Sequence, residues 1–251
     1  MYFWFILFQS HFWSYMKVSS LQRIYFPSPI SLGQQIALDQ DQTHYLTSVM
    51  RLKTGWKLRI FNESSGEFIA QVSSIGKKSC IIDVIEFFRA PVKVPHLCLA
   101  QCIIKGERMI QALSMATQLG VTAIAPIITE RTQIKSINHE RVMRILIENA
   151  EQSERLSIPY LYEPHDLEEF VASGDFDKLI YANENEERRG APILDGASKV
   201  AILIGPEGGF TDVELAMLAN CPKAHSVSLG NTVLRSETAA AALVALVQLG
   251  R

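Results

Sequence analysis

Beyond residue 95 the sequence alternates short, wholly apolar runs with longer stretches of helical period, and no other feature constrains the fold of this chain as tightly. HLCLAQCII reads as a buried strand. GERMIQALSMATQLG reads as a helix with Met109, Leu113, Ala116 and Leu119 on one face and Gly120 at its end. VTAIAPIIT is a second strand, and HERVMRILIENAEQSER a second helix closed by Pro159. KLIYAN and VAILIG are strands, a helix starts at Thr211, SVSLG is a strand, and ETAAAALVALVQL is the last helix. Strands that alternate with helices in this way form a parallel α/β sheet.

Residues 23–90 follow a shorter period. RIYF precedes the turn signal Pro27-Ser28-Pro29, and a short polar helix with His44, Tyr45 and Val49 leads to Arg51. WKLRIFN, EFIAQVSSI and SCIIDVIEFF then alternate apolar and polar positions between glycine and serine breaks, as strands of a small β-barrel do. The expected organisation is a small β domain over residues 16–92, a linker marked by Pro91 and Pro95, and an α/β domain over residues 93–251.

Composition narrows the class. With 48% hydrophobic and 20% charged residues, the chain is neither disordered, collagen-like nor a coiled coil. No apolar run reaches the ~20 residues of a membrane span. The four cysteines, Cys80, Cys98, Cys102 and Cys221, form no C-x-x-C pair, which suits a reduced, cytoplasmic protein. Cys98 and Cys102 lack nearby partner ligands and are expected in the core, so no metal is implied. The net charge of −2 is unevenly spread: residues 16–92 carry nine Lys/Arg against six Asp/Glu, and the remainder is acidic. That balance suits contact with a polyanion at one end, and is also within ordinary scatter. Residues 1–15, with eight aromatics, have neither the basic start nor the cleavage site of a signal peptide. They read as a non-native or disordered extension ahead of a true start at Met16, and no function is assigned to them.

Two glycine loops carry the chemical signal. In AILIGPEGGFTDVE an apolar strand runs into Gly205-Pro206-Glu207-Gly208-Gly209, and Thr211 with Glu214 forms a capping box. Glycines at the carboxyl end of a parallel strand let a ligand approach backbone, although a tight strand-to-helix turn has the same pattern. There is no G-x-x-x-x-G-K-[ST], no G-x-G-x-x-G and no cation in the loop, so a triphosphate or dinucleotide is disfavoured. A neutral or cationic cofactor such as S-adenosylmethionine, a sulfonium, fits a loop containing Glu207. In SVSLGNTVLRSETAAAALVAL a second loop leads into Arg235-Ser236-Glu237 at the start of an Ala-rich helix. Ser236 there reads as an N-cap and Glu237 as a dipole partner, whereas an Arg at a helix start calls for another reason.

I-G-P-E-G-G-F-T-x-x-E followed by L-G-x-x-V-L-R-S-E-T-A resembles the RsmE family, the 16S ribosomal RNA (uracil-N3)-methyltransferases of the knotted SPOUT class. From about Gln22 onward further segments match that family in order: Lys105-Gly106-Glu107-Arg108, Leu119-Gly120-Val121, Thr129-Glu130-Arg131 and Glu151-Gln152-Ser153-x-Arg155. RIYF with His44 and Val49-Met50-Arg51 resembles its N-terminal PUA-like module. The resemblance implies a deep trefoil knot in a SPOUT-type domain and a homodimer. It also implies S-adenosylmethionine held by Leu203, Gly205, Pro206, Glu207, Gly208, Gly209, Leu229, Gly230, Val233, Leu234 and Thr238. Arg235 and Glu237 are the first candidates for catalysis, and Arg155, four residues after Glu151 on one helix face, the next. Arg23, His44, Arg51, Lys105 and Arg131 are candidate contacts to 16S rRNA in the 30S subunit, with Lys53, Lys57 and Arg59 as further phosphate contacts and Tyr25 and Trp56 as stacking partners. The chain departs from the family pattern at Thr232, where an Arg is usual, and at Met115 and Gln118, where a Lys and a Glu are usual. Methylation of another RNA base, or a catalytically silent ribosome-assembly factor, are the alternatives.

Overall fold

The computed structural model describes residues 18–183 and 194–250 and divides between Val92 and Lys93 into two compact units. The expected extension at 1–15 and the start at Met16 lie outside the described residues.

The first unit is a five-stranded sheet. Its elements are β1 (Arg23–Tyr25), β2 (Gln35–Ala37), a short helix α1 (Gln40–His44) running into a π-helical turn (Tyr45–Val49), β3 (Lys57–Asn62), β4 (Gly66–Ile75) and β5 (Cys80–Arg89). The strand order is β1-β3-β4-β5-β2, with β1 parallel to β3 and the other pairs antiparallel. Alternation on β3 separates two interiors. Leu58 and Ile60 join Ile24, Leu46, Val72 and Ile82 in an apolar core, and Arg59 and Phe61 face the other way.

That second face holds a buried ion cluster and corrects the sequence reading of Arg23 and Arg59. Glu67 is 0% exposed, Arg23 3% and Arg59 1%. Arg23 Nε donates to Glu67 Oε1 at 2.6 Å, Arg59 Nη1 stands 3.5 Å from the same oxygen, and Arg89 Nε donates to Oε2. The Arg23 guanidinium also lies 4.0 Å over the Phe61 ring. Neither arginine is available to a phosphate; they are interior cations neutralised by Glu67. His44, Arg51, Lys53, Trp56 and Lys57 are exposed instead, and Arg51 has a left-handed backbone (φ 55°) just after the π-helical turn.

The second unit is a parallel α/β sheet of seven strands. Along the chain it comprises β6 (His96–Cys102), α2 (Glu107–Gln118), β7 (Ala123–Ile128), α3 (His139–Gln152), β8 (Tyr160–Leu161), β9 (His165–Asp166) and α4 (Leu167–Ser173). It continues with β10 (Lys178–Ala182), β11 (Lys199–Ile204), α5 (Asp212–Ala219), β12 (Ala224–Val227) and α6 (Ser236–Leu249). The order is β12-β10-β11-β6-β7-β8, with β9 also on β7. The strands β6, β7, β10 and β11 are buried on both faces. Leu97, Leu99, Val200 and Ile202 pack under α2, α3 and α6, whereas Cys98, Ala100, Ala201 and Leu203 pack with Leu167 of α4 and Leu218 of α5. On α2, Met109, Leu113 and Ala116 are buried as expected, but Leu119 is 36% exposed, because the helix closes there and Gly120 turns the chain away at φ 97°.

The α3 helix ends at Gln152, earlier than its sequence suggests. Glu154 takes a left-handed backbone (φ 61°), so Glu151 and Arg155 do not share a helix face.

Candidate active site

The carboxyl ends of β10, β11 and β12 open onto one cavity of about 550 Å³. Open parallel sheets bind ligands at this edge because the loops there expose backbone groups that the sheet no longer uses. Its walls are residues 204–210 after β11 and residues 228–230 and 232–236 after β12, with Asn183, Arg108 and Arg131 contributed by other elements.

The glycine loop is held from three sides. Gly209 N donates to Pro206 O at 2.9 Å, and Gly209 itself has φ 67°, a conformation open to glycine. Thr211 and Glu214 make the expected capping box, and Glu214 also reaches across: Glu130 N donates to its Oε1 at 2.9 Å. Arg131 Nη1 donates to Gly208 O at 2.6 Å and to Phe210 O at 3.3 Å. Arg131 is thus engaged as a buttress of the loop. Arg108, in the first turn of α2, faces Glu207 at 3.7 Å, and both are half exposed.

A buried relay joins the loop to the sheet. Gln101, at the end of β6, donates from Nε2 to Ser236 Oγ at 2.9 Å, and Ser236 Oγ donates to Gly205 O at 2.9 Å. Ser236 is therefore not the N-cap; Arg235 holds that position, without a side-chain cap bond. Glu237 follows, 6% exposed, and its Oε2 is a buried atom with no hydrogen-bond partner among the described residues. Removing the relay hydroxyl by Ser236→Ala leaves Gln101 Nε2 and Gly205 O each short of a buried partner. A stability loss of about 1–3 kcal/mol in the second unit is expected by chemical denaturation, and a change near zero would show that water replaces the hydroxyl.

The cavity brings together most of the residues that the sequence singled out. Gly205, Pro206, Glu207, Gly208, Gly209, Leu229, Gly230, Val233, Leu234, Arg235 and Arg131 all line it. Leu203 does not: its side chain is fully buried on the α4 and α5 side of the sheet. Thr238 is exposed and is not part of the wall, and the buried Glu237 does not line it either. Arg155 is remote. Its Nη1 donates to Thr117 O at 2.6 Å, so it closes the C-terminal end of α2, while Arg108 meets the cavity at the other end, about 14 Å away at 1.5 Å per residue. Burial lowers its pKa to about 10. The two core thiols are inert for the same physical reason: burial raises Cys98 to about 12 and pushes Cys102 well above its ordinary value. Sequence reading missed Arg108, Asn183 and the Gln101 relay. Arg108 had a signal, its place directly after Lys105-Gly106-Glu107 at a helix start; Gln101 had none, since only the fold sets it against Ser236.

Comparison with known proteins decides the family. Residues 91–248 match the model of the RNA methyltransferase domain, and residues 38–85 that of the RNA methyltransferase PUA domain. The ribosomal RNA small subunit methyltransferase E of Rickettsia conorii is 39% identical over 232 residues, covering 90% of this chain and 95% of its own. This chain belongs to the ribosomal RNA small subunit methyltransferase E family. The family member from Neisseria gonorrhoeae, solved bound to S-adenosyl methionine, superposes with a TM-score of 0.81 at 26% identity, covering 91% of this chain and 97% of its own. A Legionella pneumophila protein solved with the bound cofactor SAM gives 0.82 at 30% identity, again covering 91% and 97%.

The fold sorts the departures from the family pattern by place. Gln118 and Met115 lie on the C-terminal half of α2, where Gln118 Nε2 donates to Asn149 Oδ1 at 2.7 Å and ties α2 to α3. Thr232 alone of the three stands in the cavity wall. Among the described residues, the cations left to that wall are Arg108, Arg131 and Arg235.

Proposed function

We propose that this protein transfers the methyl group of S-adenosylmethionine to N3 of a uridine in 16S ribosomal RNA of the small subunit. The observation that carries this reading is the cavity at the carboxyl edge of the sheet, walled by glycine-loop backbone and opening beside Arg235. The residues present fit the sulfonium cofactor. Gly209 and Gly230 of the wall leave open space where a Cβ would stand, and Glu207 and Asp212 are carboxylates of the wall that suit a cation. Gly205 to Gly209, Leu229, Val233 and Leu234 would hold it. When bound, S-adenosylmethionine supplies an electrophilic methyl group, and the C–S electron pair returns to sulfur on transfer.

The protein's own part concerns the uracil. N3 carries a proton in the neutral base, so that proton leaves as the N3 lone pair bonds to carbon, and negative charge builds on the flanking oxygens. Arg235, exposed at the rim, stabilises that charge as a fixed cation. Glu237, buried in the first turn of α6, sets the position of Arg235 or receives the proton. Arg155 reaches a reacting base only if a second copy of the chain brings it there, in keeping with a homodimer. The return of α6 from the edge strand β12 to the central strands, where Ser236 meets Gln101 and Gly205, supports a knotted SPOUT path. RNA is gripped by His44, Arg51, Lys53 and Lys57 in the first unit and by Lys105 in the second, and the reaction belongs to the cytoplasm.

The test is methyl transfer from labelled S-adenosylmethionine to 30S subunits lacking the modification, followed by nucleoside mass spectrometry. 3-Methyluridine is expected; another methylated nucleoside, or none with cofactor bound, overturns the reading. Arg235→Ala is expected to lower kcat about a hundredfold, the scale of one lost charge-stabilising group. Its calorimetric cofactor affinity should stay within about twofold of the parent, well under the tenfold that 1.4 kcal/mol represents. Turnover near that of the parent protein removes Arg235 from the mechanism.

A further inference from the structure

A second hollow, of about 740 Å³, adjoins the first and shares four wall residues with it: Arg108, Arg131, Glu207 and Gly208. Its own walls are Ile103, Lys105, Gln133 and Ile134. These residues come from the ends of β6 and β7, so the hollow sits at the same carboxyl edge of the sheet, one strand further along. It is large enough for a nucleotide by the ordinary range of ligand pockets, roughly 300–1,000 Å³.

Its chemistry is that of a base with a phosphate beside it. Arg131 is engaged by the loop carbonyls and Arg108 by Glu207, which leaves Lys105 as a cation with no ion pair among the described residues. Ile134 is 37% exposed, an apolar side chain presented among cations, while Ile103 is buried as the floor. An aliphatic face of this kind accepts the flat face of a base that has left its stack. Gln133 is exposed and carries an amide N–H that can donate to a uracil carbonyl oxygen beside N3, where a cytosine would present an amino group, and this leaves N3 itself free to face the methyl donor. N3 lies on the pairing edge, so a paired uracil cannot present it, and an enzyme working there needs a pocket for an extruded base. The wall common to both hollows includes Gly208, which has no side chain to stand between two occupants.

We propose that this second hollow receives the target uridine, with the base on Ile134, a carbonyl oxygen beside N3 held by Gln133 and its phosphate on Lys105. The proposal rests on the functional reading above and adds the residues that choose the base. None of Lys105, Gln133 and Ile134 is buried, so substitutions there spare the fold. Gln133→Ala and Ile134→Ser are each expected to lower kcat/KM for 30S subunits by about ten- to a hundredfold, the range for losing a recognition contact to a reacting group. Calorimetric affinity for S-adenosylmethionine should be unchanged. Lys105→Ala should act mainly on KM and flatten its salt dependence, because one phosphate contact is gone. Cofactor affinity that falls in step with activity, or kcat/KM unchanged in both Gln133→Ala and Ile134→Ser, overturns the proposal.

A second readout does not depend on turnover. 30S subunits assembled with 4-thiouridine-substituted 16S RNA are irradiated with the protein, and the cross-linked peptide is mapped by mass spectrometry. A cross-link within residues 132–135 supports the assignment even if the parent protein makes no 3-methyluridine, which would then count against the functional reading alone. Cross-links confined to other peptides overturn the assignment.

Discussion

Glu67→Ala should open the first unit while leaving the second intact. Three guanidinium groups converge on this carboxylate, two of them almost wholly buried, and all three donate to it or stand within ion-pair distance. A buried ion cluster adds little stability over a well-packed apolar one, but removing one member strands the others in a medium that cannot solvate them. The expected cost is about 3–5 kcal/mol, a large share of what a small domain has. Hydrogen exchange on the full chain would show it directly: amides of β3, β4 and β5 should exchange about two to four decades faster, while β6, β7 and β11 keep their protection. Glu67→Gln keeps an acceptor without the charge and should fall between the two. A loss below about 1 kcal/mol for Glu67→Ala would mean that the arginines find other partners, and that the cluster is not what holds this face together.

The same cluster shows where sequence reading stops. Alternation placed β3, β4 and β5 correctly because the period of two is a local property of each strand, and the strand-helix alternation after residue 95 identified the parallel sheet for the same reason. Charge is also read locally, but its role is not. Arg23 and Glu67 are 44 residues apart, and nothing near Arg23 says that it will be neutralised inside the fold rather than solvated outside it. Four elements escaped for want of length: β2 is a three-residue edge strand, β8 and β9 have two residues each, and α4 is a seven-residue helix, all too short to display a period. At the site, the glycine loops and the Thr211 capping box were legible because they are contiguous motifs. The buttress from Arg131 and the relay through Gln101 were not, since each joins segments more than 70 residues apart.

Gly205→Val should abolish cofactor binding with the fold retained, and the reason is steric rather than conformational. A Cβ at Gly205 would come within 3.1, 3.3 and 3.5 Å of three atoms of the Phe210 ring, before the valine methyls are added. Phe210 packs against the core beneath the sheet, and Gly205 O is pinned by Ser236, so neither partner yields without breaking another contact. Overpacking of this kind costs about 1–3 kcal/mol, which a domain of this size survives, but the loop that walls the cavity moves. Affinity for S-adenosylmethionine is expected to weaken at least a thousandfold, about 4 kcal/mol, by calorimetry. Gly208→Val is the discriminating companion. A Cβ there meets Arg131 Cδ at 3.3 Å, the flexible stem of an exposed side chain that can give way, so a loss nearer tenfold, about 1.4 kcal/mol, is expected. A thousandfold loss in both would mean that the loop tolerates no side chain anywhere and that the cofactor itself fills the space. Unchanged affinity in Gly205→Val, with the chain folded, would place the cofactor elsewhere.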